Sequence, residues 1–108
     1  MAGTNDADMV LAGNTVRKNK GGLAFALNGQ VVGELPLPVA GLMSTESAES
    51  VEEKLQALKA ALKAHGISED IDAFMTLAFV SLPVIPKLRL NTYGIVDVDA
   101  QRIVPAVF

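Results

Sequence analysis

Leu23-Ala24-Phe25-Ala26-Leu27-Asn28-Gly29-Gln30-Val31-Val32-Gly33-Glu34-Leu35 reads as a β-hairpin, and the rest of the chain is arranged around it. An Asn-Gly pair between apolar runs is the strongest short-range hairpin signal, because a type I′ turn needs positive φ at both central residues. Residues 23–27 are therefore a buried strand, Asn28-Gly29 the turn and residues 30–35 the returning strand. The strand then has to stop. In Leu35-Pro36-Leu37-Pro38-Val39-Ala40-Gly41-Leu42-Met43-Ser44, each proline lacks the N–H a sheet ladder needs and holds the residue before it extended. An apolar, irregular and uncharged segment must be covered by something, either its own domain or a neighbour. Leu35, Leu37, Val39, Leu42 and Met43 are accordingly the candidate interface residues.

Before the hairpin, residues 5–19 read as a helix. Thr4 or Asn5 caps it, Asp6 and Asp8 suit its positive end, and Arg17 and Lys18 suit its negative end. Met9, Ala12 and Val16 form its apolar stripe, and Gly21-Gly22 ends it. After the proline segment, residues 46–65 form a second helix. Val51, Leu55, Leu58 and Leu62 fall at i, i+4, i+7 and i+11 on one face, with Glu52, Glu53, Lys59 and Lys63 off it. Ser44, Thr45 or Ser47 caps this helix, and Gly66 closes it. The continuous apolar run at residues 74–80 reads as a central strand onto which the second helix packs. Residues 88–91 read as an edge strand, 92–94 as a turn, and a final strand lies within 102–108. The order predicts a single α+β domain, with a mostly antiparallel mixed sheet and helices packed on one side.

The 108 residues suffice for one domain with a real core. Half are hydrophobic and 19% are charged, which places the chain among globular proteins. Cysteine is absent, so a disulfide scaffold and a thiolate metal site are excluded. Nine basic against twelve acidic residues, without tryptophan and with one tyrosine, argue against nucleic acid as a partner. The longest apolar stretch, residues 74–85, is too short to span a bilayer and contains Pro83, so no membrane partner is expected. Residues 1–6 lack the pattern of a signal peptide, and a cytoplasmic location is the expectation.

The chemistry-bearing residues do not assemble a recognisable site. His65, the one histidine, falls in the last helical turn before Gly66, where it suits the helix dipole. A lone imidazole cannot build a site of three or four protein ligands. Asp97 with Asp99, and Asp70 with Asp72, are paired carboxylates two apart that suit a divalent cation, but both pairs flank turns where Asp bonds locally. Gly21-Gly22 runs from helix to strand, the reverse of a phosphate loop. Met43 and Met75 read as core fillers. No catalytic residue and no metal ligand is assigned, and the chain is expected to carry no cofactor.

A longer series of motifs points further. Asp8-Met9, Gly21-Gly22, Asn28-Gly29, the string from Glu34 to Ser44, Phe74-Met75-Thr76-Leu77-Ala78-Phe79 and Leu82-Pro83-Val84-Ile85-Pro86 occur in one order and spacing. Gly94-Ile95-Val96-Asp97-Val98 and Ile103-Val104-Pro105 complete it. The series resembles the C-terminal domain of bacterial adenine deaminases of the amidohydrolase superfamily, over nearly the whole of residues 1–108. The chain departs from the family pattern at Ala73, where proline is usual, and at Ala78, where serine is common. The resemblance implies a parent enzyme of purine salvage and adenine catabolism, with adenine as substrate and hypoxanthine and ammonia as products. It also implies manganese or iron bound in a (β/α)₈ barrel, a fold that needs at least ~200 residues and lies outside this chain. The implied partners are that barrel domain and further copies of the subunit. The competing expectation is a stand-alone binding or oligomerisation module without enzymatic activity, which open-reading-frame length would distinguish.

Overall fold

The computed structural model describes residues 1–68 and 70–105. Asn5 begins α1 (Asp6–Lys18), its side-chain oxygen accepting the Asp8 N–H at 2.9 Å. At the other end Lys20 N–H donates to the Arg17 carbonyl and Gly21 N–H to that of Val16, the paired bonds of a Schellman motif. Lys20 itself takes the left-handed position there, at φ 60°. Gly21 and Gly22 are therefore not the helix stop; they serve the approach of another segment, described below.

β1 (Gly22–Leu27) and β2 (Gln30–Pro36) pair antiparallel, with Leu27 opposite Gln30. Asn28 and Gly29 stand at φ 52° and 75°, as a type I′ turn demands. A register shift between Phe25 and Ala26 leaves Val32 as an extra residue, bulging β2. Gly33 and Leu35 lie two apart on one face of this strand. A Cβ at Gly33 would come within 2.6 Å of Leu58 Cδ1, so the missing side chain is what lets α2 sit close.

α2 (Ala48–Ala64) starts at Ser47, whose hydroxyl accepts the Ser50 N–H, and ends in its own Schellman motif. There Gly66 N–H donates to Lys63 C=O and Ile67 N–H to Leu62 C=O, with Gly66 at φ 88°. Its apolar stripe is the one expected: Val51 and Leu55 are half-buried, Leu58 is 1% exposed and Leu62 is buried. The stripe packs on β2. Leu35, Leu58 and Leu62 are the buried hydrophobic side chains among the described residues, and all belong to the first of two compact units, Met1–Asp70.

The second unit, Ile71–Phe108, departs further from expectation. Residues 74–80 are not a central strand; they form most of the helix α3 (Ala73–Ser81), capped by Asp72, whose carboxylate accepts the Met75 N–H at 3.0 Å. A short unbroken apolar run fits either state, and here the Asp cap and the helix-favouring Ala, Met and Leu decide it. β3 (Leu88–Asn91), β4 (Gly94–Asp97) and β5 (Arg102–Val104) follow as an antiparallel meander with β4 in the middle. β4 was not anticipated as a strand, and the part of the expected last strand at 106–108 lies outside the described residues. The fold is α+β, as expected, and among the described residues every strand pairing is antiparallel and the strands are divided between two small sheets.

Candidate functional site

The proline segment after β2 folds partly onto its own unit. Leu35 is buried and Leu37 half-buried, and Leu37 N–H donates to the Gly21 carbonyl at 3.2 Å. A Cβ on Gly21 would collide with Gly41 Cα and come within 2.8 Å of the Leu37 carbonyl oxygen. A Cβ on Gly22 would strike the Leu35 carbonyl. The diglycine is thus a seat for the segment, which is why two residues without side chains stand there. Glycine's tolerance of φ 135° and 121° completes the reason.

Beyond Pro38 the chain turns back on itself. Val39 N–H bonds the Met43 carbonyl at 3.0 Å and Leu42 N–H the Val39 carbonyl at 3.1 Å, closing a tight turn. Ala40 and Gly41 occupy its centre at φ 53° and 76°. Ala40 is a left-handed non-glycine residue, a conformation that stores roughly 1–2 kcal/mol. The turn lifts Leu42 (78% exposed) and Met43 into solvent with Val39 beside them. Of the five candidate interface residues, Leu35 and Leu37 face the unit's interior and Val39, Leu42 and Met43 form an exposed apolar tip.

Asp8 was expected only as a helix-end charge, and its place is more specific. Its Oδ1 accepts the Gly29 N–H at 2.7 Å and its Oδ2 the Asn28 N–H at 3.0 Å, while Asn5 Nδ2 donates to Oδ2 at 2.9 Å. The carboxylate of α1 therefore clamps the hairpin turn. The Asn5 amide first, and then the Gly29 and Asn28 N–H groups, hold Asp8 below the ordinary aspartate range against the opposing effect of desolvation. The signal in the sequence was the shared presence of Asp8 and Asn28-Gly29, whose spatial pairing no spacing rule reveals.

The remaining candidates occupy structural posts. His65 is the C-cap of α2; its Nδ1 donates to the Ala61 carbonyl at 2.8 Å, and its ring meets Phe25 edge-on at 5.7 Å. Asp97 accepts the Ala100 N–H in a turn, Asp70 accepts from the Ser68 hydroxyl, and Asp72 caps α3. Among the described residues no three His, Asp or Glu side chains converge to hold a metal ion. No helix among the described residues is long and apolar enough to cross a membrane.

A second apolar surface was missed. Met75, Leu77, Phe79 and Val80 of α3 are all exposed, and an open groove of about 440 Å³ runs between that helix and the meander. The available signal was Asp72, a favoured helix N-cap residue standing directly before the run.

Comparison with known proteins joins these observations. The family described as the adenine deaminase C-terminal domain matches residues 1–102. The chain is 47% identical over 105 residues to adenine deaminase 2 of Carboxydothermus hydrogenoformans, covering 97% of this chain and 18% of that protein. It is 56% identical over 96 residues to the adenine deaminase of Kosmotoga olearia, covering 89% of this chain and 16% of the relative. With the adenine deaminase of Desulforamulus reducens the identity is 45% over 108 residues, again 18% of the relative. The chain thus spans less than a fifth of the length of these curated relatives. Since the match runs through the clamped hairpin, the diglycine seat, α2, α3 and into β5, the chain belongs to the adenine deaminase C-terminal domain family.

Proposed function

We propose that residues 1–108 act as the non-catalytic C-terminal domain of a metal-dependent enzyme hydrolysing adenine to hypoxanthine and ammonia. One observation carries this reading: nearly all of the chain, 97%, aligns with only 18% of a relative named adenine deaminase 2. The other four-fifths has room for a (β/α)₈ barrel of at least ~200 residues, and that is where this reading puts the manganese or iron and the catalytic groups. Bound there, the metal would supply activation of water for hydrolysis, and no residue of this chain is assigned a part in that chemistry. The domain itself packs on that barrel or at the subunit interface of a cytoplasmic homo-oligomer. The exposed tip of Val39, Leu42 and Met43 supports this, because apolar side chains on a turn pinned by the diglycine seat are pre-set for docking at low entropic cost.

The test is an assay of the full-length parent, supplied with manganese or iron, for ammonia release from adenine. Release is expected. Failure with adenine alongside turnover of another amino-substituted heterocycle would reject the substrate. Turnover by the 108-residue chain alone would reject the non-catalytic role. A stand-alone oligomerisation module is the second reading, favoured by the same exposed tip; a stable dimer formed by the chain without any barrel would support it.

A further inference from the structure

We propose that the α3–β3 face of the second unit is the surface buried against the portion of the full-length polypeptide that this chain lacks. The proposal rests on the deaminase-domain reading above and moves its principal contact away from the proline-segment tip. α3 carries no charged residue, and Met75, Leu77, Phe79 (49% exposed) and Val80 (57% exposed) leave apolar surface open around it. A helix that is apolar on every side belongs inside a core. The meander extends the face with Leu88 and Leu90, two apart on β3 and both exposed. No hydrophobic side chain of this unit is buried among the described residues, so its own packing does not supply that core.

The groove adds a polar requirement. It is lined by Thr76, Phe79, Val80, Leu88, Leu90 and Ile95, together with Arg89. The Arg89 guanidinium donates to the Leu88 and Pro86 carbonyls, both at 2.8 Å. Its Nε, buried from solvent, has no acceptor among the described residues. A buried donor left unpaired is costly, so the occupant brings an oxygen acceptor on an otherwise apolar segment. The missing four-fifths of the polypeptide is the occupant we commit to. It is covalently tethered, hence present at high effective concentration, and a mostly apolar face resembles a permanent interface.

Amide hydrogen exchange compares the 108-residue chain with a full-length enzyme that ends in it. Amides of residues 73–90 are expected to exchange at least ~10-fold more slowly in the full-length enzyme. Equal rates in both would overturn the proposal. So would protection that already arises in the short chain with increasing concentration and a dimer in sedimentation, since the occupant would then be a second copy. Phe79→Asp in the full-length enzyme should abolish the added protection, while Leu42→Asp should leave it; the reverse pattern makes the tip the surface. Circular dichroism of the short chain carrying Phe79→Asp should match the parent chain, separating lost docking from lost folding. Ammonia release is scored separately: its absence with protection intact rejects the substrate reading alone, and its presence without protection rejects the docking face alone.

Discussion

Asp8 shows how one side chain joins two elements. It lies in the first turn of α1, yet both of its oxygens accept N–H groups of the Asn28-Gly29 turn. Its folded-state acidity is raised, meaning a lowered pKa, so the stability it contributes is present above its unfolded value of about 4. That contribution fades as pH falls through the lowered folded value. Asp8→Asn should therefore reduce the urea midpoint at pH 7, and the gap from the parent chain should narrow markedly at pH 3. An equal gap at both pH values would show that the charge is not what clamps the turn. Glycine positions give a second test at this scale. Gly29 at φ 75° has nothing within 4 Å of an added Cβ, so Gly29→Ala should cost only the ~1–2 kcal/mol of a left-handed alanine. Gly21→Ala should cost at least roughly twice as much, because the Cβ meets the backbone of Gly41 and Leu37, which cannot rotate away.

Elements behave according to how much of their pattern is specific. α2 was readable because four apolar residues at helical spacing, a Ser cap and a terminal glycine all agree. Its partner was not, since an amphipathic face says that it packs but not on what. Leu58→Ala removes the most buried side chain of that face and should cost about 2–5 kcal/mol in denaturant unfolding; below ~0.5 kcal/mol, the packing of α2 on β2 is wrong. The turn after Pro38 offers the opposite sign. Ala40→Gly relieves a positive φ at the cost of a floppier unfolded chain, so a net gain of roughly 0.5–1 kcal/mol is expected in the same measurement. Residues 74–80 read as a strand because a run of seven residues interrupted only by Thr76 carries no period to distinguish the two states.

At the scale of the whole chain, the two units differ in what completes them. Unit 1 holds the buried Leu35, Leu58 and Leu62 and closes its own hairpin and proline segment. Leu42→Asp, at a 78% exposed tip, should leave the chain folded, with an unchanged unfolding midpoint. Loss of folding would show that the tip belongs to the core. The same substitution in a full-length enzyme tests whether the tip is an interface, through subunit assembly in sedimentation. Of the interface residues chosen from sequence, Val39, Leu42 and Met43 stayed available, whereas Leu35 and Leu37 were drawn inward by the diglycine seat. No local rule marks that seat, because Gly21 and Gly41 are twenty residues apart and meet only in space.

Family membership, the α+β class, the Asn-Gly hairpin and the face of α2 were all determined by sequence alone. Each rests on local chemistry: the left-handed tolerance of Asn and Gly, the period of a helix, or a long string of motifs in order. Tertiary structure decided the rest. It turned residues 74–80 into an uncovered helix, divided the strands between two sheets and made Gly21-Gly22 a seat instead of a stop. It also set Asp8 beneath a turn twenty residues away. These outcomes depend on which backbone groups and apolar faces meet across the chain, and such contacts are chosen by packing and hydrogen-bond satisfaction, which no local window of sequence contains.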